Sequence, residues 1–414
     1  MSKPKLRFPE FTGDWVQHIL SDVIVDIADG PFGSNLKLEH YTDKKEARII
    51  QLSNLSDYGW QEENTRYTTF EHAETIKRCI VNEDELIMGK MMPAGMTIMR
   101  PTTDKMYVLS SDCVRIKLDK SIATNEFFLY TTKSEEFLNQ IRNSSQGSTR
   151  IRTSISKIKN MNLNIPSLPE QQKIGFLFTK LDALIQSAEK ELEGYRELKK
   201  GMLQKMFPKK GEKVPEVRFP EFTGDWEQHK LGEVAPLRGG YAFKSDKYKT
   251  EGTPIVRISN ILSDGSVGAE FAYYDDIEDD EKCTLGNGDA LLAMSGATTG
   301  KVSILKCNNN DKYYQNQRVG YFERNEQYNY GFVSTIVRSD LFKEQLTLVL
   351  VAGAQPNVSS KEIDAFEFMF PNSIVEQKKI GEYFSNLDNL IALQQQELDG
   401  YKELKKGLLQ QMFC

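Results

Sequence analysis

The segment Gly296-Ala297-Thr298-Thr299-Gly300-Lys301-Val302-Ser303 is where phosphate chemistry first suggests itself. A nucleotide-binding loop needs four residues between its glycines and a Ser or Thr after its lysine to hold magnesium. Here three residues separate the glycines and Val302 follows Lys301. The segment fails as a nucleotide site. It reads instead as a turn that brings Lys301 and backbone N–H groups to a nucleic-acid phosphate. Glu197 with Lys199, repeated as Glu403 with Lys405, matches the end of a nuclease motif, but solvated helix charges account for both pairs. There is no Asn-Pro-Pro-aromatic tetrapeptide and no glycine-rich cofactor loop after an opening strand, so a methyltransferase signature is absent. The cysteines (79, 113, 283, 307, 414) and histidines (18, 40, 72, 229) are scattered, which gives reduced thiols and no metal site.

Reading DNA takes cations for phosphates, side chains with paired donors and acceptors for base edges, and rigid turns that project them. One stretch offers Ser34, Asn35 and Lys37 in a glycine-punctuated turn, then Gln51 and Asn54, Lys90, and Thr149, Arg150 and Arg152. A later stretch offers Tyr241 and Lys244, Arg257 and Asn260, Ser295 and Lys301, Gln317 and Arg318, and Gln355 and Asn357. Each segment alone is an ordinary loop. Their recurrence in one order is what points to nucleic acid.

That order follows from an internal repeat. Arg7-Phe8-Pro9-Glu10-Phe11-Thr12-Gly13-Asp14-Trp15 returns unchanged as Arg218–Trp226. Glu170-Gln171-Gln172-Lys173-Ile174-Gly175 pairs with Glu376-Gln377-Lys378-Lys379-Ile380-Gly381, and Glu191–Gly201 with Glu397–Gly407. Each half has matched ends around a body of about 150 residues, and the two bodies hardly resemble each other. The chain therefore divides into a first domain over 1–169, a helical region over 170–210, a second domain over 211–375 and a second helical region over 376–414.

The helical regions carry Leu181, Ile185, Ala188, Leu192 and Tyr195, then Leu387, Ile391, Gln394, Leu398 and Tyr401, the spacing of a coiled-coil seam. Pro166 and Pro169 precede the first helix and Pro208 ends it. A helix over 171–207 is ~55 Å long, and the other helical region is its nearest partner. An antiparallel pair with an approximate twofold axis is expected. Gly194, Gly201, Gly400 and Gly407 recur at matched places, as expected where two helices approach closely. The bodies read as α+β and largely strand, with runs such as Arg48–Leu52, Cys113–Leu118, Ile255–Ile258 and Lys301–Leu305, and a helical stretch over Asn125–Ile141.

The 414 residues exceed one ordinary core, and 39% apolar with 27% charged content is normal for a soluble globular protein. No signal peptide or membrane-length apolar run is read, so a cytoplasmic location is expected. The net charge of −6 hides an acidic block, Asp275–Glu281, expected to lie away from any DNA face.

With these pieces in hand the whole chain resembles the specificity subunits of Type I restriction–modification systems. The Arg-Phe-Pro-Glu-Phe motifs, Asp29–Lys37, Lys90–Gly95, Ser295–Lys301 and the Glu-Gln-x-Lys-Ile-Gly motifs carry the likeness. The resemblance implies two target-recognition domains that each read half of a split double-stranded DNA site. It implies helices that set the spacer and dock two modification (methyltransferase) subunits, with restriction (motor-nuclease) subunits added. It further implies that S-adenosylmethionine, ATP and Mg belong to those partners, and that the chain itself is a non-catalytic subunit with no cofactor. The alternatives are a subunit of a methylation-only complex and a repeat-built adaptor that binds no DNA.

Overall fold

The computed structural model describes residues 3–91, 94–103, 105–144, 152–352 and 357–413. The chain forms two units, Met1–Glu191 with Gln394–Cys414, and Leu192–Leu393. Each contains one body and a part of both long helices, Leu168–Lys205 and Ile374–Met412. The first helix starts earlier than its prolines suggest. Pro169 sits inside the first turn, where its missing N–H would have had no helical partner.

Within each unit the two helix parts run antiparallel. In the first, Asp182 pairs with Lys405 at 2.5 Å and Glu189 with Lys402 at 2.8 Å, so numbers rise along one helix as they fall along the other. In the second, Lys199 pairs with Asp388 at 2.5 Å and the Phe207 and Phe384 rings lie 6.1 Å apart. Leu181, Ile185, Ala188, Leu192, Leu387 and Leu398 are buried as the seam requires. Leu198 and Leu404 are exposed and lie off the buried face. Lys199 and Lys405 correct the reading of the Glu-x-Lys pairs as solvated: both ammonium groups are held against an aspartate.

The bodies share one topology despite their unlike sequences. In the first, a sheet is ordered Thr97–Met99, Leu86–Gly89, Cys113–Leu118, Ile24–Asp29. Its counterpart in the second runs Val302–Ile304, Ala290–Ala293, Val319–Phe322, Leu237–Gly239. Each body has a second sheet built around a parallel pair: Ala47–Ile50 with Met106–Leu109, and Thr253–Val256 with Tyr313–Gln315. The expected helix over Asn125–Ile141 is two helices, Asn125–Thr131 and Glu135–Ser144; Ser134 Oγ accepts the Phe137 N–H at 3.3 Å, opening the second.

The repeated motifs meet one another within each unit. Arg7 makes a two-pronged ion pair with buried Glu170 at 2.6 and 2.7 Å, and Trp15 Nε1 donates to the same carboxylate at 3.3 Å. Arg218 and Glu376 repeat the two-pronged ion pair at 2.7 and 2.9 Å. Glu10 pairs with Lys173, and Glu221 with Lys379. Gln171 accepts from the Thr124 N–H and donates to Ile122 O and Pro166 O, pinning the helix start to the body. Phe413 packs between Phe127 and Phe178 in one core, and Phe207 between Phe332 and Phe384 in the other.

Candidate nucleic-acid interface

A three-residue turn connects the parallel pair to the other sheet in each body: Ser110–Asp112 in the first, Asn316–Arg318 in the second. The same backbone bonds hold both. Ser110 N–H donates to Ile50 O at 2.9 Å, and Asn316 N–H to Val256 O at 3.0 Å. Lys90 N–H donates to Asp112 O at 2.8 Å, and Met294 N–H to Arg318 O at 3.0 Å. A glycine lies against each turn. A Cβ on Gly30 would stand 1.7 Å from Ser110 O, and one on Gly240 2.4 Å from Asn316 O, so only glycine fits.

The neighbouring elements correspond as well. Gln51 opens the short 3-10 turn Leu52–Asn54, and Arg257 opens Ile258–Asn260. A bridge pairs Met91 with Arg152, and another pairs Ser295 with Asn357. Tyr241, half exposed, bridges to Asn316, and the Gln317 N–H donates to Tyr241 O at 2.9 Å. The structure thus gathers Gln51 and Arg152 in one body, and Tyr241, Ser295, Gln317, Arg318 and Asn357 in the other, around matched turns. Beside the first turn, Pro31, Gly33, Tyr41 and Gln51 line an open cleft of about 330 Å³.

Ser34 and Asn35 lie in the 3-10 turn Gly33–Asn35, whose Asn35 carbonyl contacts His72 Nε2 at 2.9 Å. Lys37 is exposed, with its N–H donated to His40 Nδ1 at 3.0 Å. Lys244 is exposed before the turn Ser245–Lys247. Lys301 Nζ donates to Ser263 Oγ at 2.7 Å beside the turn Gly296–Thr298. Arg257 is half-buried, donating to Glu270 O at 3.2 Å under the Tyr248 ring. Thr149, Arg150 and Gln355 lie outside the described residues.

Three candidates need correction. Asn54 and Asn260 are fully buried. Asn54 Nδ2 donates to Gln61 O and Glu63 O, and its Oδ1 accepts the Gln51 N–H; Asn260 does the same with Gly268 O, Glu270 O and the Arg257 N–H. They are struts behind the surface. Lys90 is 2% exposed and its ammonium pairs with Asp29, so it is not presented outward. The helix glycines are corrected too. A Cβ on Gly194, Gly201, Gly400 or Gly407 would meet nothing within 4 Å. The crowded glycines of the long helices are Gly175 and Gly381, whose Cβ atoms would come within 2.6 Å of Glu126 Cβ and 2.7 Å of the Gly331 carbonyl carbon.

Sequence reasoning missed Ser110–Asp112. No local pattern marks it, and only its structural match to Asn316–Arg318 reveals it.

The acidic block lies at the other end of the parallel pair. Asp276 accepts from Thr253 Oγ1 at 3.1 Å and pairs with Lys312 at 3.1 Å, both at strand starts, whereas the Asn316–Arg318 turn follows the strand ends. Among the described residues no group of three His, Cys, Asp or Glu is placed to hold a metal, and no helix is long and apolar enough to cross a membrane.

A family model described as the Type I restriction modification DNA specificity domain matches the chain twice, over residues 35–194 and 223–402. The Type I restriction enzyme MjaVIII specificity subunit of Methanocaldococcus jannaschii is 27% identical over 345 residues, 81% of this chain and 79% of that one. The crystal structure of a Type I restriction–modification S subunit from M. genitalium aligns with a TM-score of 0.68 at 14% identity, covering 100% of this chain and 99% of that one. A chain from a structure of a Type I system describing complex assembly and conformational transition aligns at 0.51, with 15% identity over 97% of both.

Proposed function

The chain belongs to the Type I restriction modification DNA specificity family, and from that membership we propose that each body reads one half of a bipartite double-stranded DNA site. Catalysis lies in other chains of the assembly: modification subunits that use S-adenosylmethionine to methylate adenine, and restriction subunits that use ATP and Mg. The long helices dock the modification subunits and set the spacer between half-sites.

One observation carries this reading. Two bodies of unlike sequence hold matched turns on the same backbone frame and place different polar side chains on it: Asp112 against Arg318, Arg152 against Asn357. A fixed frame with varied side chains is what two readers of different sequences need. An adaptor that only joins proteins has no use for it.

The test is genome-wide adenine methylation in cells with and without this chain, its partners present in both. A bipartite methylated site that disappears with the chain is the expected result. Methylation at the same sites without the chain would overturn the proposal.

A further inference from the structure

We infer that the turns Ser110–Asp112 and Asn316–Arg318 are exchangeable base-reading heads, with Arg318 reading a guanine in the second half-site and Asp112 reading a cytosine in the first. This rests on the proposed DNA-reading function and adds which residues discriminate, and between which bases.

Three features single out these turns. First, each is three residues long and crosses between two sheets, with its backbone tied to both. So short a link leaves little freedom, and base discrimination needs side chains held to within about half an ångström. Second, the glycine against each turn clears the space the frame needs, in bodies that otherwise share little sequence.

Third, the side chains at the head are available where neighbouring ones are not. Gln317 and Arg318 are exposed, and no described carboxylate pairs with Arg318. Arg257 is committed to Glu270 O and Arg238 to Thr284 O. In the first body Lys90 is spent on Asp29, so Asp112 keeps its carboxylate without a lysine partner; its near neighbour is Ser111 Oγ at 3.3 Å.

The chemistry follows from the groups. A guanidinium donates two parallel hydrogen bonds to guanine O6 and N7, while a carboxylate can only accept, as from the cytosine N4 amino group. The same frame therefore gives opposite preferences in the two bodies.

The test is methylation mapping of the complex assembled with Arg318→Gln, Arg318→Lys or Asp112→Asn. Arg318→Gln should lower the preference for guanine at one position of one half-site roughly 10- to 100-fold, leaving the other half-site and the spacer unchanged. Arg318→Lys keeps the charge but not the fork, and should also relax that position. Asp112→Asn should relax one position of the opposite half-site, so the inference does not depend on one variant folding. Full selectivity in Arg318→Lys, or uniformly weaker methylation with the same recognition sequence in both Arg318 variants, would mean a phosphate contact there, and an unchanged recognition sequence in Asp112→Asn would mean that Asp112 touches no base; either result would overturn the inference. Failure of the unaltered complex to methylate any bipartite site would instead overturn the DNA-reading proposal itself.

Discussion

Gly175 and Gly381 show what a repeat can and cannot say about a residue. The sequence repeats six glycines at matched places in the helical regions, and the expectation of close approach falls on Gly194, Gly201, Gly400 and Gly407. The structure gives that role to the other two, which the Glu-Gln-x-Lys-Ile-Gly motif had already marked without a reason. Recurrence reveals that a residue is constrained; only the fold reveals by what. The same limit applies to Asn54 and Asn260, whose amides serve the backbone. An asparagine after a strand looks identical in sequence whether it faces a base or a carbonyl. The glycines give a prediction with opposite signs. Gly400→Ala should stabilise the protein by up to about 1 kcal/mol, the helix-propensity gain. Gly381→Ala should destabilise by about 1–3 kcal/mol, because a Cβ there meets backbone that cannot swing away. Urea unfolding of both variants checks this, and equal shifts of one sign would contradict it.

Among the elements, the long helices were the most legible, because a one-sided apolar seam that recurs in both halves has few other solutions. The sheets were less so. A parallel pair formed by Ala47–Ile50 and Met106–Leu109 joins strands far apart in sequence, and no local signal states which strands will neighbour. The hairpin Leu55–Ser56 with Gly59–Trp60 was not foreseen at all. Its tip rests on the helix parts of the first unit. Tyr58 O accepts from Gln186 Nε2 at 2.9 Å, Asp57 O accepts from Lys133 Nζ at 2.6 Å, and the Tyr58 ring lies 5.3 and 5.2 Å from the Lys402 and Lys405 ammonium groups. In the second body the corresponding chain turns back on its own sheet, where Gly265 O accepts the Ile304 N–H at 2.9 Å. Tyr58→Ala should therefore speed hydrogen exchange across residues 51–63 and leave 257–270 unchanged. Equal change in both segments, or in neither, would show that the hairpin is no tie. The tie is also pH-sensitive. Burial pushes Lys133 down to about 8, below its unfolded value of ~10.4. The folded state then binds fewer protons between those values, so this group's contribution to stability rises with pH across that window. The slope of stability against pH from 8 to 10 should be shallower in Lys133→Met than in the unaltered protein.

At the scale of the whole chain, the repeat is closed by an exchange of helix parts. Each unit takes the leading part of the helix that follows its own body and the trailing part of the other. The same ion pair fixes the helix register in both, Asp182 with Lys405 and Asp388 with Lys199. The unit boundaries, after Glu191 and after Leu393, are therefore the places where both helices can be lengthened without touching either unit's own contacts. Seven residues inserted at each boundary preserve the heptad spacing of the seam. They add ~10.5 Å to each helix at 1.5 Å per residue, or roughly three base pairs at ~3.4 Å per step. If the helices set the spacer, methylation mapping of the doubly lengthened chain should return the same two half-sites separated by about three more base pairs. Seven residues in one helix alone should instead weaken folding, because the two ion pairs could no longer both form in register. The decisive outcome is the spacer of the doubly lengthened chain: one that stays unchanged while methylation remains full would show that the distance is measured elsewhere in the assembly, and the helices would lose the role of ruler while keeping that of scaffold.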